Sequence, residues 1–136
     1  MKIPERAIHA LLEDFAGGRV YALRAPQNAT APFVIFQRVD GNAWRAINGP
    51  DGIAQAVIQI DSYAREYYEA KDLAGEIQEL LDGYRGTVMH GPDSPPQESI
   101  RIAGISYQND VDIFDQTDMP LLFRVSANYL VTFATE

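Results

Sequence analysis

Residues 53–82, IAQAVIQIDSYAREYYEAKDLAGEIQELLD, change their apolar period once, and that change fixes what the chain can become. Ala54, Ala56, Ile58 and Ile60 alternate with Gln55, Gln59 and Asp61, the pattern of a strand buried on one face. From Tyr67 onward the steps become three and four. Tyr67, Ala70, Leu73, Ala74, Ile77, Leu80, Leu81 and Tyr84 make one apolar helical stripe. Glu66, Glu69, Asp72, Glu76, Glu79 and Asp82 occupy the opposite face. Gly83 suits the left-handed position that closes a helix. A strand running straight into a helix of about five turns gives one sheet and one helix to cover it.

The flanking chain extends this plan. Residues 4–16 read as a short helix, with Pro4 at its first position and Ile8, Leu11, Leu12 and Phe15 on one narrow stripe. Gly17 and Gly18 end it. Residues 19–23 read as a brief strand. Residues 33–39, FVIFQRV, are apolar on both parities: Phe33, Ile35 and Val39 on one, Val34 and Phe36 on the other. A strand of this kind is buried on both faces. With helices on one side only, the second side needs a loop of the same chain or a neighbouring subunit. Turn signals at 40–42 and 48–52 bracket a short strand with the only tryptophan, Trp44. Residues 91–99, GPDSPPQES, read as an exposed loop. The parity of Ile100 and Ile102 slips before Ile105 and Tyr107, so a bulge is expected at Gly104. Residues 109–118 read as an acidic connection carrying Asp110, Asp112, Asp115 and Asp118. Residues 121–133 alternate over a length well beyond the usual ~5–6 residues of a strand. The expected fold is a single α+β domain over residues 1–136. Its antiparallel sheet has four to five strands, with a long helix at about 65–82 and a short one at about 4–16 packed on one face.

Composition narrows the chemistry. At 46% hydrophobic the chain can build a core. It has no cysteine, hence no disulfide, thiolate metal site or thiol nucleophile. The net charge of -8 repels phosphate and disfavours duplex binding through a basic patch. No apolar run nears the ~20 residues that cross a bilayer, so no membrane partner is expected, and residues 1–15 carry no signal-peptide core. The stretch NDVDIFDQTD is not a calcium loop, because Ile113 or Phe114 falls where an oxygen ligand belongs and no glycine follows. His9 and His90 have no nucleophile signature to serve. Gly17-Gly18 ends a helix instead of opening one, so it offers no phosphate loop. No catalytic, cofactor-binding or metal-binding residue is assigned, and no enzyme is expected. The two-sided strand, the overlong final strand and the polar loops point instead to association, with Phe33, Val34, Phe36, Trp44, Tyr68 and Tyr129 as interface candidates.

The short N-terminal helix is followed by Gly18-Arg19-Val20-Tyr21, Ala25-Pro26 and Pro32-Phe33-Val34-Ile35-Phe36. Next come the strand Ile58-Gln59-Ile60-Asp61-Ser62-Tyr63 and the helix from Tyr68 through Leu73, Ile77 and Leu80 to Gly83. The strand Phe123-Arg124-Val125 to Tyr129 closes the series. In this order, over nearly the whole chain, these features resemble the tail-completion proteins of tailed bacteriophages, also called tail terminators or tail-to-head joining proteins. The resemblance implies a small non-catalytic subunit of the virion, assembled in the host cytoplasm. Such subunits form a homo-hexameric ring that caps the tail tube protein and meets a head-completion or connector protein at the neck. A ring needs a heterologous interface, for which the 33–39 face and the final strand are the expected halves. DNA would pass through an acidic lumen without specific binding, with Asp110, Asp112, Asp115 and Asp118 or the acids of the long helix expected there. From the residues alone a second expectation stands beside it, a dimeric cytoplasmic ligand-binding or regulatory α+β domain.

Overall fold

A computed structural model of the chain describes residues 3–39, 45–47, 52–90, 98–115 and 121–135. Helix α1 spans Pro4–Leu12, with Pro4 in its first turn as its fixed φ favours. It ends before Phe15, and a 3₁₀ turn, Phe15–Gly18, follows, so the helical segment is shorter than its stripe predicts. The break falls where Ala16, Gly17 and Gly18 take positive φ. Strands β1 (Val20–Ala22), β2 (Phe33–Arg38), β3 (Arg45–Ile47) and β4 (Ile53–Ala64) come next. Helix α2 (Tyr67–Leu81), β5 (Gly86–His90), β6 (Glu98–Asp115) and β7 (Leu122–Ala134) complete the chain. Gly83 has φ 84°, the left-handed closing position its sequence context predicts.

Among the described residues seven strands form one sheet in the order β1-β2-β4-β7-β6-β5, with β3 on β4. Strand β7 holds one edge of β4 from Ile53 to Ala64. On the other edge, β2 covers Ile58–Tyr63 and β3 covers Ile53–Gln55. Two expectations are corrected here. The sheet has more than four to five strands, and it is not wholly antiparallel, since β1 runs parallel to β2. Strands β1, β3 and β5 have three to five residues each, too few to display a period of two.

Both helices cover one face. Ala54, Ala56, Ile58 and Ile60 of β4 and Ala127, Tyr129, Val131 and Phe133 of β7 are buried beneath them, as alternation requires. Ile8 and Leu12 of α1 and Leu73, Ile77 and Leu81 of α2 close over this layer as one continuous core. Strand β6 joins it through Ile100, Ile102 and Ile105. The register shifts between Ile102 and Gly104, which leaves Ala103 unpaired, so the bulge falls one residue before the Gly104 position expected.

A second shift, between Tyr107 and Asn109, was not expected. It lets β6 continue through residues 109–115, which the sequence presents as an acidic connection. The correction has a physical reason: the bulge absorbs the parity mismatch at Gln108, so Asp110, Asp112 and Phe114 pair in register with Ala127, Val125 and Phe123. The result is a long β6–β7 hairpin. None of the described helices is long and apolar enough to cross a membrane.

Candidate interaction surfaces

Strand β2 is expected to be buried on both faces, and its helix-free side is only partly covered: Ile35 is half-buried and Val39, just past the strand, is 41% exposed. Alternation turns Val34 and Phe36 toward the helices, where they are 0% and 2% exposed, with the Phe36 ring 5.3 Å from that of His9. Phe33 faces the helix-free side. There its ring stacks on Tyr63 at 4.7 Å and meets Tyr21 at 6.3 Å, which leaves it buried. The chain's own aromatic side chains therefore cover Phe33 on the second side, while Ile35 and Val39 beside it keep apolar surface open. Tyr129 is likewise 1% exposed and packs edge-on against Tyr107 at 5.8 Å. Val34, Phe36 and Tyr129 are core residues of the single subunit and present no surface to a partner. Of the interface candidates, Tyr68 stands out at 76% exposed. Trp44 and Asp118 lie outside the described residues, as does the side chain of Asp115.

The surface around Tyr68 is built where α2 begins. An extended residue, Glu66, precedes the helix, so Tyr67 emerges beside the far end of the β6–β7 hairpin. Tyr67 was expected within the buried stripe, but first-turn residues lie at the end of the covered sheet, and it is exposed. Its ring meets Phe123 edge-on at 5.9 Å and Tyr68 at 5.3 Å, while Phe123 stacks on Phe114 at 4.7 Å. The Tyr67 hydroxyl donates to Asp112 Oδ2 at 2.7 Å, and Lys71 Nζ donates to Asp112 Oδ1 at 3.1 Å. Tyr67 and Lys71 are four residues apart on the helix, so both reach one strand residue. The hydrogen bond from Tyr67 and then that from Lys71 hold the Asp112 carboxyl below its usual range. In return, Asp112 raises both the Tyr67 phenol and the Lys71 ammonium. Asp110 is exposed on the same side of β6, next to Tyr107, whose phenol is raised by burial first and by Asp110 second. The sequence expectation thus holds Asp110 and Asp112 close together but misplaces them on a loop.

On the helix-free side, the β4–β7 register brings Asp61 near Arg124. Asp61 is 4% exposed and accepts both its hydrogen bonds from Gln59 Nε2 at 3.0 Å. Arg124 Nη1 lies 3.8 Å from Asp61 Oδ2 and donates to the Tyr63 hydroxyl at 3.2 Å. A buried carboxylate needs a cation and donors of this kind. Residues 61 and 124 are far apart in sequence, and no local pattern predicts their meeting. No group of three or more His, Cys, Asp or Glu side chains among the described residues could hold a metal ion. The described geometry is that of a scaffold with exposed aromatic and charged surfaces.

A family model described as "Tail completion protein gp17" matches residues 4–132, nearly the whole chain. Among solved structures, the fold is similar to a chain of the "Virion of native gene transfer agent (GTA) particle", with a TM-score of 0.57 at 13% identity. That alignment covers 93% of this chain and 84% of the other. At this identity the likeness is one of fold. No curated protein sequence matches.

Proposed function

The chain belongs to the tail completion protein gp17 family, and from that premise we propose that copies of it form a homo-hexameric ring which caps the finished tail tube and joins it to the head connector. Its role in the phage tail is structural and its place is the virion. The observation that carries the finer reading is the family match across residues 4–132, which takes in both helices and all but the end of β7. The surfaces described above support it. The aromatic end of the hairpin, with Tyr68 projecting, offers the kind of contact residue enriched at protein interfaces. Asp110 and Asp112, exposed on the hairpin, give it a negative surface along which DNA would slide without adhering.

Removing the protein from particles tests this function. Filled heads and finished tails should then accumulate unjoined, as counted by electron microscopy. Normal head–tail junctions in its absence would overturn the proposal. The purified protein should also run as a hexamer in light scattering, or as single copies that assemble on added tail tubes.

A further inference from the structure

The outer face of α2 carries a glycine that the subunit itself does not need. Gly75 lies in the middle of the helix and is exposed, and a Cβ built on it would meet nothing within 4 Å. Its φ is not positive, so no left-handed backbone requires it. Glycine is the least favourable helix-interior residue after proline. No contact within the subunit offsets that cost. Gly75 lies instead in a shallow, open hollow on the helix surface, the notch. Gly75, Gln78, Glu79 and Asp82 line a hollow of about 430 Å³ along one side of α2. The exposed acids Asp72 and Glu76 neighbour it on the helix, and Lys71, on the same helix, is held by Asp112.

A second hollow, of about 310 Å³, lies at the β5–β6 corner between Arg85, Gly86, Thr87, Arg101, Ile102 and Ala103. Most of the described bases are engaged inside the subunit. Arg6 pairs with Glu98, Arg38 with Glu5, Lys71 with Asp112 and Arg124 with Asp61, while Arg19 donates to the Pro32 carbonyl. Arg24, Arg65, Arg85 and Arg101 are exposed and meet no carboxylate among the described residues, and of these Arg85 and Arg101 line this one hollow together. Ile100 and Ile102 are buried under the helices, so Arg101 between them points to the other side of the sheet. Arg101 and the acidic notch therefore lie on opposite sides of the sheet, so Arg101 cannot reach the notch within its own subunit.

We propose that the Gly75 notch of one copy receives the Arg85–Arg101 corner of a second copy. Complementary patches on opposite sides of a subunit make a head-to-tail contact, the kind that closes into rings. A guanidinium suits the notch because its long apolar stem can lie against the bare helix backbone while its fork reaches the carboxylates of Glu76 and Glu79. This contact rests on the self-association proposed above.

Gly75→Ala separates the two roles of the position by sign. In dilute solution, where copies are single, its melting temperature should rise by about 3–5 °C, because alanine favours the helix and nothing obstructs its methyl group. Its self-association, followed by sedimentation, should weaken by about tenfold or more as the notch fills. Unchanged association would overturn the contact. A charge exchange gives the second test. Arg85→Glu with Arg101→Glu, and separately Glu76→Arg with Glu79→Arg, should each abolish association while leaving the circular dichroism of the fold intact. Mixing the two variants should restore mixed assemblies. Two folded variants that fail to complement, or that associate like the unaltered protein, would remove this surface and leave the ring standing. An unaltered protein that associates neither alone nor on tail tubes would instead remove the ring.

Discussion

The Asp112 carboxylate joins strand to helix through two donors on α2. Its side chain and that of Lys71 are 39% and 38% exposed, so solvent screening limits their ion pair to under ~1 kcal/mol. Asp112→Asn should therefore lower stability only modestly in urea titrations, with a larger rise in hydrogen exchange at the hairpin end than elsewhere. The pH dependence follows from the directions of the shifts. The Asp112 carboxyl is held low, so its contribution is complete above the ordinary carboxylate value of about 3.9 and fades as pH falls through the lower folded value. Tyr67 and Lys71 are raised, so theirs is complete below about 10 and is lost as pH climbs through their folded values. Comparing the unaltered protein with Asp112→Asn, the difference in stability should be flat near neutral pH and shrink at both extremes. A difference that grows in acid would contradict the assignment.

Strand β2 and the start of α2 make opposite uses of their aromatic residues. Phe36 is enclosed by α1 and the sheet, so Phe36→Ala should cost about 3–5 kcal/mol in denaturant unfolding of the single subunit. Tyr68 stands in solvent, so Tyr68→Ala should stay within ~0.5 kcal/mol, and any effect it has should appear in assembly. Equal stability losses from the two changes would contradict this division. The β6 strand owes its reach to its bulges. Each shift exchanges the parity of the residues that face the helices, from Ile102 to Ile105 and from Tyr107 to Asp110. The first was legible because the apolar parity changes between Ile102 and Ile105, although the unpaired residue is Ala103 and not the glycine beside it. The second was not, because Ser106, Gln108 and Asn109 are all polar and show no break in pattern. The acids beyond it therefore read as a connection.

At the scale of the whole molecule, a net charge of -8 works against self-association unless the few free bases are well placed. Assembly through Arg85 and Arg101 should accordingly weaken as salt is added, since exposed charges are screened beyond roughly 10 Å at 0.1 M. Sedimentation in a salt series checks this, and association that strengthens with salt would point to an apolar interface instead. The acids serve a separate role in the proposed lumen. Changing Asp110, Asp112, Asp115 and Asp118 to asparagine should slow DNA exit from assembled particles, as measured by dye release. An unchanged rate would remove these residues from the DNA path.

The central strand, the helix that covers it, the glycine that closes that helix and the side of each that is buried follow from the order of residues alone. These are read from periodicity, which depends only on backbone geometry and the avoidance of water by apolar side chains. Which apolar residues are already covered depends on how distant segments meet in the fold. Phe33 finds Tyr63, and Val34 and Phe36 find α1, through contacts between segments distant in the chain. The same holds for Asp61 beside Arg124 and Asp112 beside Tyr67. Burial of a given side chain is a property of what folds back over it, and a one-dimensional pattern records the demand for a cover without recording its source.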